Sequence, residues 1–185
     1  LPTLRGILFE KNIFLWEIQI TDIEGRFTKK YLLNEAEFYS VGQFIAETQK
    51  MHHKKEKFVN GAHDMGYNSS ILPDLTGYKK WKGCPAGISI MALCSNGQVK
   101  GCSALANDKF SEGNVREKNI IDIWNDSRSF SYNRKFKKED LKRYCKFCEF
   151  GKSCKGGCIE TSFMLTGKLH CDPYCFHRIE LQKNR

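Results

Sequence analysis

No stretch of this chain approaches the roughly 18 consecutive apolar residues that a membrane-spanning helix requires, so a helical membrane protein is excluded. The opening residues Leu1-Pro2-Thr3-Leu4-Arg5 lack the basic-then-apolar pattern of an export signal, and no initiator methionine is present. Internal repeats and low-complexity tracts are absent too. Acidic residues are in deficit, 21 against 30 Lys and Arg, for a net charge of +9. Such an excess can serve nucleic acid, but its distribution is local. Nine basic residues (Arg134, Lys135, Lys137, Lys138, Lys142, Arg143, Lys146, Lys152, Lys155) face three acidic ones between positions 134 and 155. What the chain has in plenty is cysteine. Nine is an odd number, and with no export signal it argues against a secreted disulfide framework and for the cytoplasm. At 185 residues and 41% hydrophobic, the length suits one domain, or one domain plus part of another.

Residues 13 to 20 read as a strand, with Phe14, Trp16, Ile18 and Ile20 on one face and Ile13, Leu15, Glu17 and Gln19 on the other. A well-marked helix comes next. Asn34 is its expected N-cap and Glu37 can close a capping box, while Phe38, Val41, Ile45 and Thr48 form its buried stripe. Lys50, Lys54, Lys55 and Lys57 crowd its C-terminal end, where the macrodipole favours cations, and His52-His53 is expected in solvent there. With a short strand near 57 to 59, this makes one βαβ unit of a larger α/β structure. One unit cannot form a parallel sheet alone, so the chain is expected to begin partway through a domain. Residues 61 to 83, rich in Gly, Asn, Ser and Pro, connect it to the C-terminal half of the chain.

Asn96-Gly97 lies between two apolar runs and predicts a hairpin with a two-residue loop. That register pairs Cys94 with Val99, so Cys94 points away from Cys102 and is expected to be a small buried hydrophobe. A short helix over 118 to 126 should face Ile120, Ile123 and Trp124 inward, and a polar, basic stretch from 127 to 144 leads to the main cysteine group.

Seven cysteines fall in two groups: Cys84 and Cys102 flanking Gly97, then Cys145-x2-Cys148-x5-Cys154-x3-Cys158 with Cys175 beyond. Thiolates are soft donors that select iron–sulfur clusters, zinc or Cu(I). Gly151, Gly156 and Gly157 let backbone approach a cluster and aim N–H groups at its sulfurs, and the nearby cations would lower cysteine pKa values. Zinc remains a competitor, with His170 or His177 completing a second set of four. Gly151-Lys152-Ser153 mimics the end of a phosphate-binding loop, but position 146 is Lys where Gly is required.

The order Cys84-x12-Gly97-x4-Cys102, Cys145-x2-Cys148-x5-Cys154-x3-Cys158 and the ending Asp172-Pro173-Tyr174-Cys175 resembles the seven-cysteine motif of SPASM domains. These are C-terminal extensions of radical SAM enzymes that modify peptides and proteins. The resemblance covers about residues 80 to 180. More weakly, Trp16-Glu17-Ile18-Gln19 followed by Gly25-Arg26 is similar to the last barrel strand region of radical SAM cores. The fold this implies is an α/β fragment, the last strand–helix unit of a partial TIM-like barrel (residues 1–75), then a small α+β domain with a β-hairpin and cysteine-rich loops (76–185).

The resemblance further implies two auxiliary [4Fe-4S] clusters. Cys84, Cys102 and Cys158 would ligate the first, and Cys145, Cys148, Cys154 and Cys175 the second. The first set lacks a fourth cysteine, leaving an open iron or a role for Cys171. Glu17 and Gln19 would face a barrel interior, towards cofactor or substrate. The CxxxCxxC motif of the SAM-cleaving cluster is missing from this sequence, so S-adenosylmethionine and a third cluster belong to a full-length enzyme, and the chain is not expected to be active alone. Implied partners are a peptide or protein substrate and an external electron carrier such as a flavodoxin or ferredoxin, with no membrane and no nucleic acid. The implied role is electron transfer and substrate docking in a maturase. A reading of another class is a zinc-stabilised module that binds nucleic acid with its basic face.

Overall fold

Pro2 pre-sets the backbone for a first helix, α1 (Pro2–Glu10), which periodicity did not announce and which buries no residue. A computed structural model describes residues 1–21, 23, 25–51, 58–77 and 81–183. The expectations for Lys54, Lys55, Lys57 and the His52-His53 pair lie outside them. The chain divides into two units, residues 1–81 with 173–185, and residues 82–172. The first of these units ends at Trp81 and takes in the last residues of the chain as well.

In the first unit the expected strand shortens to β1 (Trp16–Ile18). Phe14, placed on one face with Trp16 and Ile18 by alternation, is 87% exposed. Helix α2 (Glu35–Met51) starts as its sequence dictates: Asn34 Oδ1 accepts from the Ala36 and Glu37 N–H groups at 3.0 Å, and the Asn34 N–H donates to Glu37 at 2.8 Å. Its buried face is Phe38, Tyr39, Gly42, Ile45 and Thr48, one position round from the expected Val41. Strand β2 (Val59–Gly61) pairs parallel with β1, Trp16 opposite Val59, which makes the βαβ unit.

The second unit carries a three-stranded antiparallel sheet in the order β3 (Ala92–Leu93), β4 (Gln98–Lys100), β5 (Gly113–Asn114). The hairpin register differs from the expected one by a residue. Leu93 faces Val99, and the Cys94 N–H donates to Gln98 O at 2.9 Å, so the loop has three residues, Ser95 to Gly97. Only Gly97, with φ +88°, is left-handed; Asn96 is not, and a single left-handed residue suits the three-residue loop. The slip moves Cys94 to the other face of its strand. Cys94 is half-buried, not the buried hydrophobe expected, and its neighbour across the hairpin is Gln98.

Helix α3 (Ile120–Asn125) is capped by Asn119 and buries Ile123. Val99, Ile123 and Phe130, all fully buried, form the core of this unit, with Ile120, Trp124 and Tyr132 packed against them. The polar, basic stretch holds α4 (Ser131–Arg134), followed by short turns up to Phe147. Then come α5 (Gly151–Cys154) and α6 (Ile159–Thr166).

Helix α7 (Phe176–Lys183) belongs to the first unit, where Phe176 stacks on Phe38 at 4.8 Å. Its Glu180 is buried and receives Tyr39 Oη at 3.1 Å, the Ser70 N–H and hydroxyl at 2.9 Å, and the Ser69 hydroxyl. Burial opposes the charge on Glu180, but these donors together hold its carboxyl below the usual range. Burial and the Glu180 carboxylate push Tyr39 up to about 12. Among the described residues no helix is long and apolar enough to cross a membrane.

Candidate metal centre

Three elements of the second unit deliver one thiol each to a common place. Cys84 precedes the tight turn at Pro85–Ile90, Cys102 lies just beyond the end of β4, and Cys158 is the N-cap residue of α6. The Cys158 thiol hydrogen-bonds Cys84 and, against the opposing effect of burial, holds Cys84 below its ordinary pKa. Cys102 feels the Cys158 charge and is pushed up, mainly by burial. Cys84 and Cys158 are buried and Cys102 is half-buried.

The backbone around these thiols is arranged for sulfur that carries charge. The Ile159 and Ala86 N–H groups point at Cys84, and those of Ala104 and Leu105 at Cys102. A neutral thiol accepts weakly, whereas thiolates and cluster sulfides accept strongly, so these donors fit iron–sulfur ligation. The strongest influences on Cys84, Cys102 and Cys154 are burial, neighbouring thiols, carboxylates and backbone N–H groups rather than the nearby cations.

Neighbouring residues fasten this site, and sequence reasoning missed them. Asn133, 1% exposed, donates through Nδ2 to both Cys84 O and Ala86 O at 2.7 Å. Lys100, 4% exposed, reaches the Ala106 carbonyl at 2.7 Å and ties down the loop after Cys102. Glu160, also buried, raises the Cys102 pKa through its charge. Asn133 sits in a four-residue helix inside a basic stretch, where no periodicity marks a buried position.

The second group is gathered by short helical turns. Cys145 lies in the 3₁₀ turn Arg143–Phe147, Cys148 caps it, and Cys154 ends α5. The backbone then turns left-handed at Lys155, Gly156 and Gly157. A Cβ on Gly156 would collide with the His170 carbonyl, so glycine is required there twice over. The Gly157 and Gly156 N–H groups point at Cys154 as the sequence suggested, but burial outweighs them and pushes the thiol to about 11. Cys154 therefore keeps its proton at neutral pH until a metal displaces it. His170 closes this region, one ring nitrogen 2.8 Å from Lys155 O and the other 2.9 Å from Tyr132 O, so it is occupied by carbonyls rather than offered to zinc.

Cys171 is placed differently from the first three thiols. It is fully buried with Leu141 and Cys145, and its sulfur lies 3.2 Å from Thr166 Oγ1 and 3.7 Å from Ser162 Oγ. Its surroundings are those of a packed thiol beside Cys145. Cys175 lies in the first unit, bridged to Gly66, and His177 is buried in α7 of that unit. Glu17 and Gln19, also of the first unit, are both exposed.

Among the described residues no three acid, histidine or cysteine side chains converge tightly enough for a single ion. A four-iron cluster takes its thiolates one per iron, so its ligands stand apart from one another. The N–H donors around Cys84 and Cys102 suit the strongly accepting sulfurs of such a cluster.

Comparison with known proteins agrees. The model of the SPASM family, described as an iron–sulfur cluster-binding domain, matches residues 84–149. The AdoMet-dependent heme synthase of Methanosarcina barkeri is 35% identical over 99 residues, 52% of this chain and 26% of that protein. Streptococcus suis SuiB superposes with a TM-score of 0.58 at 20% identity, over 95% of this chain and 41% of its own. anSMEcpe with bound AdoMet does so with a TM-score of 0.55 at 18% identity, over 96% and 48%. The same protein with AdoMet and the Cp18Cys peptide gives 0.51 at 20% identity, over 96% and 50%. The chain thus spans half or less of the length of each. Residues 84–149 are similar to the SPASM family's iron–sulfur cluster-binding domain.

Proposed function

We propose that this chain is the auxiliary-cluster portion of a radical SAM maturase, binding two [4Fe-4S] clusters that pass electrons and help to dock a peptide or protein substrate. Cys84, Cys102 and Cys158 hold the first cluster, with an iron left open to substrate. Cys145, Cys148, Cys154 and Cys175 hold the second. The observation that carries this reading is the set of backbone N–H groups converging on the Cys84 and Cys102 sulfurs beside Cys158. Hydrogen bonds to sulfur and exclusion of solvent are what set a cluster's potential.

The peptide substrate is suggested by anSMEcpe, one of whose structures holds a peptide with AdoMet. AdoMet cleavage and a third cluster belong to a CxxxCxxC site that this sequence does not contain. The parallel β1–β2 pair and the exposed Leu1, Leu4, Ile7, Phe14 and Leu15 support a first unit completed by further strands of a barrel. An external flavodoxin or ferredoxin would supply or take the electrons, in the cytoplasm. The zinc-stabilised nucleic-acid module finds no support in the family match.

The test is iron, acid-labile sulfide and zinc content after anaerobic reconstitution. About eight iron and eight sulfide per chain are expected from two four-iron clusters. Zinc without sulfide would overturn the proposal.

A further inference from the structure

The phenol of Tyr132 is a buried polar group at the first thiol site that the ligand assignment leaves unused. Its ring packs in the core of the second unit, edge-on to Phe110 at 5.4 Å, and its hydroxyl is sealed from solvent. The hydroxyl makes no hydrogen bond, although a buried O–H ordinarily finds a partner. It lies against Gly101, the residue before Cys102, where a Cβ would collide with it; the Gly101 backbone acts on it without completing a hydrogen bond. After burial and Glu112, the charges that act on it most are those of Cys84 and Cys102, and together they push its pKa well up. Tyr132 is also fixed in place: its carbonyl is held by His170, and the next residue, Asn133, clamps the Cys84 loop.

An orphaned donor packed against the residue before Cys102 has an evident acceptor once a cluster is bound. We propose that Tyr132 donates a hydrogen bond to a sulfur of the first cluster and so raises that cluster's reduction potential. The inference rests on the auxiliary-cluster reading above. Reduction adds one electron and makes the sulfurs more negative, while the phenol keeps its proton. The hydrogen bond is therefore stronger in the reduced state and favours it. Tyr132 is a positioning and tuning residue; it is not a ligand.

The experiment compares the reconstituted full chain with Tyr132→Phe and with 3-fluorotyrosine at position 132. Iron and sulfide are counted first, and potentiometric titration is then followed by electron paramagnetic resonance. Phenylalanine keeps the ring and removes the donor. Unchanged iron and a roughly tenfold loss in the equilibrium constant for reduction are expected, a shift of about 59 mV to the negative. Fluorination makes the phenol a better donor and should move the potential the opposite way, a signature that a packing role does not produce. If Tyr132→Phe loses iron, the direction of the fluorotyrosine shift decides. Full iron with unmoved potentials in both variants would overturn the inference while leaving the cluster reading intact. A wild-type chain without the first cluster would overturn both.

Discussion

Asn133→Asp tests whether the Cys84 loop is held by a single side chain. In the wild type both hydrogens of the Asn133 amide are used, one on Cys84 O and one on Ala86 O, each at 2.7 Å in a residue 1% exposed. Aspartate has nearly the same shape but presents acceptors to these two acceptors. Each buried carbonyl left without a donor costs about 1–3 kcal/mol, so the variant should lose about 2–6 kcal/mol. That is a large share of the roughly 5–15 kcal/mol that stabilises an ordinary domain. The measurement is urea unfolding of the metal-free chain, followed by iron content after reconstitution. A large drop in midpoint is expected, together with loss of about four of about eight irons, because the loop that presents Cys84 comes loose while the second group stays formed. A midpoint change worth less than about 0.5 kcal/mol, the usual effect of a surface substitution, with full iron, would refute the reasoning.

Other residues give sharp expectations. Cys171→Ala should keep the full iron content and lose about 1 kcal/mol for its hydrogen bonds to Thr166 and Ser162; loss of half the iron would restore it as a ligand. Glu180 has its folded pKa below the ordinary value, so its stabilisation is present above about pH 4.5 and fades as the pH falls through the folded value. Glu180→Gln should therefore destabilise the chain at pH 7 by about 1.5–3 kcal/mol and flatten its acid limb in a pH series of unfolding midpoints; an unchanged acid limb would refute the assignment. Gly156→Ala must displace the His170 carbonyl from a left-handed position, and should lower both the thermal midpoint and the iron of the second group, with no loss of either as the contrary result.

How much of the fold was legible in the sequence depends on how local each signal is. The Asn34–Glu37 capping box and the Ile123 face of α3 are short-range patterns, and both formed as read. The hairpin was legible but not its register. Asn-Gly suits both a two-residue and a three-residue loop, and the structure uses left-handed φ at Gly97 alone, which turned Cys94 onto the other face. Strand alternation over 13 to 20 overreached because, among the described residues, the pairing runs over Trp16–Ile18 alone. The cysteine spacing pointed to the metal chemistry, but not to the residues that fasten the site. Asn133, Lys100 and Tyr132 reach it only through the tertiary fold. They come from a helix of one turn and from the end of β4, where neighbouring residues give no sign of burial. Local spacing also gives no sign of the packing around Cys171. Its hydroxyl partners, Ser162 and Thr166, are set by the geometry of α6 and the turn beyond it.

The central claim is that Cys84, Cys102 and Cys158 together hold one cluster and the remaining group holds another. The most direct measurement is iron and sulfide content, with the electron paramagnetic resonance spectrum of the reduced state, for the chain in which these three are replaced by alanine. The account predicts a fall from about eight iron to about four, with one of two overlapping signals remaining. A variant that keeps all its iron would contradict the account, because the three thiols that the fold brings together would then hold nothing.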